Sequence, residues 1–221
     1  MSRVGVAAVV ALAACGEAGD GARDASVDAV DAWEEPACDP RLGDLTAPVQ
    51  IEALTDGVPD GRVLHDGDDI ALVVPPQGGI ILLAGVRARN VDGCQLQLDA
   101  GLRDPVSGQL LTVESRPIQL RRAADGWGVP VDPQLFSLAN LAVCPATAST
   151  RDVVDQPWRI ELTVTDRGRQ ASTAVTVTPR CGGEACRCLC TAGVDPGTCP
   201  IAGAFDGGLP DPAADGGVDA R

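Results

Sequence analysis

The chain has 221 residues, a formal net charge of -14 and a hydrophobic fraction of 45%, which fits one domain flanked by tails. The acidic balance argues against nucleic acid, because phosphate binding needs a concentrated basic face. The densest basic spots, Arg87/Arg89, Arg116 with Arg121/Arg122, and Arg167/Arg169, are short, lie among acids and read as solvated strand faces.

Aromatics make up 2% of the chain and Tyr is absent, so the core must be built from Val, Leu, Ile and Ala. All 17 basic residues are Arg, a mark of GC-rich coding that carries no functional weight.

In chain order, Met1-Ser2-Arg3 supplies a positive start and Val4 to Ala14 an apolar run of 11 residues. That run is too short to span a bilayer, which needs about 20 residues, and it suits the hydrophobic region of a signal peptide, residues 1–14. It ends in Leu12-Ala13-Ala14-Cys15, which resembles the lipobox of bacterial lipoproteins. The resemblance implies that the Cys15 thiol takes a diacylglycerol before cleavage and that palmitate or a similar chain is added to the new amine. Two or three chains hold a protein stably at a membrane, each buried methylene contributing ~0.8 kcal/mol. Gly16 follows the cysteine, with no Asp there to retain the protein at an inner membrane, so the expected place is the cell envelope, at the outer membrane rather than the inner.

Residues 15–37 are dominated by Asp, Ala and Gly and read as a lipidated, self-repelling tether. Residues 201–221 repeat that composition and read as a disordered acidic tail. Its Asp/Gly run lacks the spacing of an EF-hand loop.

Between Cys38 and residue 180 the pattern changes to short apolar runs of period two. Ile70, Leu72 and Val74 mark one, Leu96 and Leu98 a second, Ile160, Leu162 and Val164 a third, and Val175 and Val177 a fourth. Such alternation marks half-buried strands. Turn pairs such as Asp56-Gly57, Asp66-Gly67, Asp92-Gly93 and Arg167-Gly168 separate the runs, as in an all-β sandwich. Pro133 to Val143 reads as either a short helix or a strand, and no stretch has a helical stripe.

The hairpin Pro157 to Thr178, turning at Asp166-Arg167-Gly168-Arg169, resembles the last two strands of Ig-like, PKD-like and cadherin-like bacterial surface domains. The segments Val74 to Gly79 and Gly85 to Asn90 are similar to predicted lipoproteins from myxobacteria-like organisms. Together these resemblances imply an Ig-like β-sandwich on a surface lipoprotein and assign no activity.

Eight cysteines remain after Cys15: Cys38, Cys94, Cys144, Cys181, Cys186, Cys188, Cys190 and Cys199. An even number in an exported chain predicts a disulfide framework. Cys38, Cys94, Cys144 and Cys181 are expected to staple the domain, and residues 181–200 to form a small Cys-rich module with too little core to fold unaided. Binding of Zn²⁺ or Cu⁺ by the module is the sharper alternative, opposed by oxidising conditions and by the lack of paired Cys-x2-Cys spacing.

No catalytic constellation is legible. His65 is the single histidine, it sits in a turn, and there is no Gly-x-Ser-x-Gly elbow. Asp66, Asp68 and Asp69 offer oxygens of the kind that hold Ca²⁺ in loops of surface domains, against the plainer reading of a solvated turn. Trp158 is expected in the core, whereas Trp127, between Gly126 and Gly128, is a thin sign of a sugar platform.

The sequence therefore predicts a lipid-anchored envelope protein, without cofactor, whose non-catalytic β-domain binds an envelope or surface protein or serves structure. The alternative is an envelope hydrolase using paired carboxylates, with or without Ca²⁺. That reading requires converging acids of raised pKa in a deep pocket.

Overall fold

The computed structural model describes residues 37–75, 79–133, 137–144 and 151–199. The expected signal peptide, Cys15, Trp33, nearly all of the tether and the acidic tail lie outside them. The described part is all-β apart from one helical turn pair near its end. The strands are β1 (Gln50–Thr55), β2 (Arg62–Val63), β3 (Asp69–Val73), β4 (Ile80–Arg89), β5 (Leu96–Arg103) and β6 (Leu110–Ile118). They continue with β7 (Leu120–Arg122), β8 (Gly128–Pro130), β9 (Ala139–Cys144), β10 (Trp158–Asp166) and β11 (Arg169–Arg180). Helix α1 (Glu184–Cys190) and a 3₁₀ turn at Pro196–Thr198 follow.

One layer is built on β4. At Ala88 this strand has Ile51 of β1 on one side and Gly128 of β8 on the other; at Leu82 it has Leu72 of β3 and Leu141 of β9. Being paired on both edges and covered on both faces, β4 buries nearly every side chain from Ile80 to Ala88. Strands covered on both faces lose alternation and read as continuous apolar runs.

The other layer is the antiparallel order β11-β10-β5-β6. Here alternation holds: Leu96, Leu98, Ala100 and Leu102 of β5 and Trp158, Ile160, Leu162 and Val164 of β10 point inward and share one core with the inner side chains of β4. β11 joins the layers. Its long arm pairs with β10, and Thr178 to Arg180 then leave to run parallel to β3. The β10–β11 turn is the expected one, with Arg167 at φ 50° and Gly168 at φ 85°, the left-handed pair that a two-residue hairpin needs.

Where β6 and β9 approach, side chains replace backbone pairing. Glu114 accepts the Asn140 amide and Arg116 donates to the Leu138 carbonyl, the two side chains also pairing with each other. A polar pair thus occupies the start of the outer edge of β9, a position open to another strand otherwise.

Residues 39 to 47 form a strap. Leu42, fully buried, exchanges backbone hydrogen bonds with Val91, and the backbones of Asp39, Leu120 and Gly93 form a ring in which Asp39 donates to Leu120, Leu120 to Gly93 and Gly93 to Asp39. The approach is close enough that a Cβ on Gly93 would lie 2.6 Å from the Asp39 carbonyl oxygen and 2.7 Å from that of Leu120.

The segment Pro133 to Val143, open between helix and strand in the sequence, contributes β9. Helix α1 was not legible, since seven residues are too few for a stripe. Cys186 and Cys190, one turn apart, bury its inner face in the main core, so residues of the Cys-rich module share that core.

Candidate functional site

The outward face of the four-stranded layer is polar and ordered in rows. Antiparallel register sets Val113, Gly101, Glu161 and Ala174 side by side, and next to them Ser115, Asp99, Thr163 and Ser172. Arg103 grips Glu161 through two bonds of 3.0 Å, and Arg159 approaches the same carboxylate at 3.4 Å. These contacts, Arg103 first, hold the Glu161 carboxyl below the usual range. Thr163 and Ser172 share a hydrogen bond of 2.9 Å, and Gln97 donates to Ser115 at 2.8 Å. Gly101 has no side chain, so a shallow hollow of about 490 Å³ opens beside Leu110 and the exposed Val113.

A second open groove, of about 570 Å³, lies at the end of the layer. Gln95, Gln97, Gln119, Ser137 and Thr165 give it hydrogen-bonding walls, and Arg167 supplies its charge. Nearby, Asp92 accepts from Arg167 and from the Cys94 amide, and the fully buried Asp166 pairs with Arg169. Arg169 also donates to the carbonyls of Leu45, Ala47 and Asn90.

The residues singled out in the sequence do not converge on a reaction centre. The three aspartates of the 66–69 turn diverge. Asp66 accepts the Thr176 amide at 2.7 Å, Asp68 takes the His65 amide and Arg62, and Asp69 pairs with Arg180. The His65 amide, and next to it Arg62, hold the Asp68 carboxyl below the usual range. Among the described residues these aspartates form no group that could surround a cation. The exposed His65 ring has Asp68 at 3.7 Å.

Trp127 is packed by Arg87 and Arg89, each guanidinium 4.7 Å from the ring centre, where a sugar would have to stack. Trp158 lies in the core, as expected. The basic spots are neutralised locally: Arg87 by Glu52 and Asp125, Arg116 by Glu114, Arg121 by Asp60, Arg122 by Asp39, Arg167 by Asp92 and Arg169 by Asp166.

Every carboxyl with a resolved shift is lowered: Asp44, Asp68, Asp104, Asp155 and Glu161. A hydrolytic general acid needs the opposite. Asp104 is the best held. It accepts the Val106 amide at 2.9 Å, the Ser107 hydroxyl at 2.8 Å and Arg151 at 2.7 Å, which ties the β5–β6 loop to the segment before β10. The Val106 amide is the main cause of its lowered pKa.

Such a group contributes stability above its ordinary value of 3.8, and loses it as pH falls through the lower, folded value. The melting-temperature gap between the wild type and Asp104→Asn should therefore be full at neutral pH and close as pH falls past 3.8 and through the lower, folded value. A gap that stays constant across a calorimetric pH series would show that the Asp104 charge contributes nothing.

The eight body cysteines form four disulfides: Cys38–Cys94, Cys144–Cys190, Cys181–Cys186 and Cys188–Cys199. This corrects the expected division of labour. Cys181 does not staple the sandwich but closes a short loop with Cys186, because β11 delivers it to the start of α1 rather than to another strand. Cys144 reaches across from β9 to Cys190 and pins the module to the sheet. With all eight sulfurs oxidised, no thiolate is left among them for Zn²⁺ or Cu⁺.

No protein-family model matches the chain, and no curated protein does. Among solved structures, the CooA pilin subunit from enterotoxigenic Escherichia coli is similar at 12% identity, over 60% of this chain and 99% of the pilin, with a TM-score of 0.28. At that level the likeness carries no argument.

Proposed function

We propose that this is a lipid-anchored cell-envelope protein, held by Cys15, whose β-domain binds an envelope or surface protein or serves envelope structure without catalysis. The observation that carries the proposal is the Leu12-Ala13-Ala14-Cys15 motif at the end of an apolar run of 11 residues behind Arg3. The four disulfides support it, since such bonds persist in exported proteins and are rare in the cytosol. The open, polar sheet face and the glutamine-lined groove suit the hydrogen-bonding groups of a protein partner better than a small apolar ligand, which favours an enclosed pocket. Gly16 in place of Asp favours the outer membrane.

The test is made in cells expressing the native gene and a Cys15→Ala version, with a clickable palmitate analogue, detergent phase partition and protease shaving. Wild type should incorporate label and enter the detergent phase; Cys15→Ala should lose both. A Cys15→Ala protein that stays membrane-bound like wild type would overturn the anchor. Digestion of the wild-type body on intact cells would direct the partner search to the outside, and protection until the outer membrane is opened would direct it to the periplasm.

A further inference from the structure

Two disulfides meet at one point beside α1. The Sγ atoms of Cys181, Cys186 and Cys190 all lie within 4.8 Å of one another, although Cys181 is bonded to Cys186 and Cys190 to Cys144. Cys144, Cys186 and Cys190 are buried. Cys181 is half-buried and is followed by the exposed Gly182, Gly183 and Glu184. Of these four sulfurs, a reductant arriving from solvent therefore reaches Cys181 first. Exchange between thiols and disulfides is governed by access and by the nearness of the attacking sulfur.

We propose that Cys181, Cys186, Cys190 and Cys144 form a thiol–disulfide exchange site whose substrate is a dithiol reductant. One thiolate of the dithiol attacks the Cys181 sulfur; the Cys181–Cys186 bond breaks and Cys186 leaves as a thiolate. The second thiol of the reductant, giving up its proton, attacks the mixed disulfide, so that the reductant closes its own disulfide and Cys181 leaves as a thiol. The Cys186 thiolate attacks the Cys190 sulfur; the Cys190–Cys144 bond breaks and its electron pair leaves on Cys144, which takes up a proton. Two electrons and two protons have moved from the dithiol to the protein. The dithiol ends as a disulfide, Cys181 and Cys144 end as thiols, and one new bond joins Cys186 to Cys190.

Cys186 and Cys190 are four residues apart on one helix, a separation of roughly 6 Å between Cα atoms that a disulfide tolerates. The exchange releases the α1 segment from β9 while Cys188–Cys199 stays closed.

The experiment uses the oxidised protein with one equivalent of dithiothreitol, alkylation with iodoacetamide, and peptide mapping by mass spectrometry. In the molecules reduced once, label is expected on Cys181 and Cys144, with Cys186 bonded to Cys190. Label on Cys181 and Cys186 with Cys144–Cys190 intact overturns the proposal, as does label on Cys144 and Cys190 with Cys181–Cys186 intact. In Cys181→Ser, where Cys186 lacks its native partner, Cys144 is expected to take up at least about twofold more label than Cys186. Near-complete labelling of Cys186 with Cys144 unlabelled would overturn it equally.

Discussion

Arg169→Ala should destabilise the domain by about 3–5 kcal/mol, the cost of leaving a buried carboxylate without its cation. Asp166 is fully buried, and its Oδ1 already has no hydrogen-bond partner among the described residues. Its other oxygen faces Arg169 and, at 3.3 Å, the Asp92 amide. Removing the guanidinium also orphans the carbonyls of Leu45, Ala47 and Asn90. Arg169→Lys should recover only part of the loss, because an ammonium lacks the planar fork that spans carboxylate and carbonyls together. Chemical denaturation of the three proteins gives the comparison. A loss under about 1 kcal/mol in the Ala variant would mean that water enters and solvates Asp166.

The double variant Cys38→Ser/Cys94→Ser should cost about 4 kcal/mol, from the chain-entropy gain of opening a loop of this length. The two cysteines are 56 positions apart, and the bond closes that loop across the strap. By the same reckoning the Cys181–Cys186 loop, five positions long, contributes about 2 kcal/mol. Hydrogen exchange in the double variant should show protection lost first at the Leu42 and Val91 amides, which bond only across the strap. If both remain protected to the level of β10, then Leu42 burial and the Arg122–Asp39 pair hold the strap without the disulfide.

Much of the sheet could be read from the sequence where one face is wet. β5, β10 and β11 alternate, and the Asp166 to Arg169 turn falls where the hairpin was expected. β4 was harder, because both of its faces are covered and its apolar run has no period. Cysteine pairing could not be read at all. It depends on where β9 and β11 deliver Cys144 and Cys181, and spacing along the chain does not contain that. The turn aspartates looked like a ligand set because they are neighbours in sequence. In space Asp66, Asp68 and Asp69 are drawn apart by Thr176, Arg62 and Arg180, partners from β11 and β2. Trp127, between two glycines, looked like a sugar platform, but every second residue of β4 projects the same way, and this brought both Arg87 and Arg89 against its ring.

The Cys38–Cys94 bond also fixes a route for mechanical load. A pull applied on the N-terminal side of residue 38 passes through the sulfur bridge directly to Cys94, two residues before β5. The loop between them, which contains β1 to β4, carries none of that tension. The force enters the antiparallel layer instead, where β5 is flanked on both sides by long partners. Those backbone bonds share a pull along the strand, so the layer yields by shear rather than by unzipping one rung at a time. A domain tugged from its N-terminal side would keep its sheet intact under strain that peels an unbridged strap away.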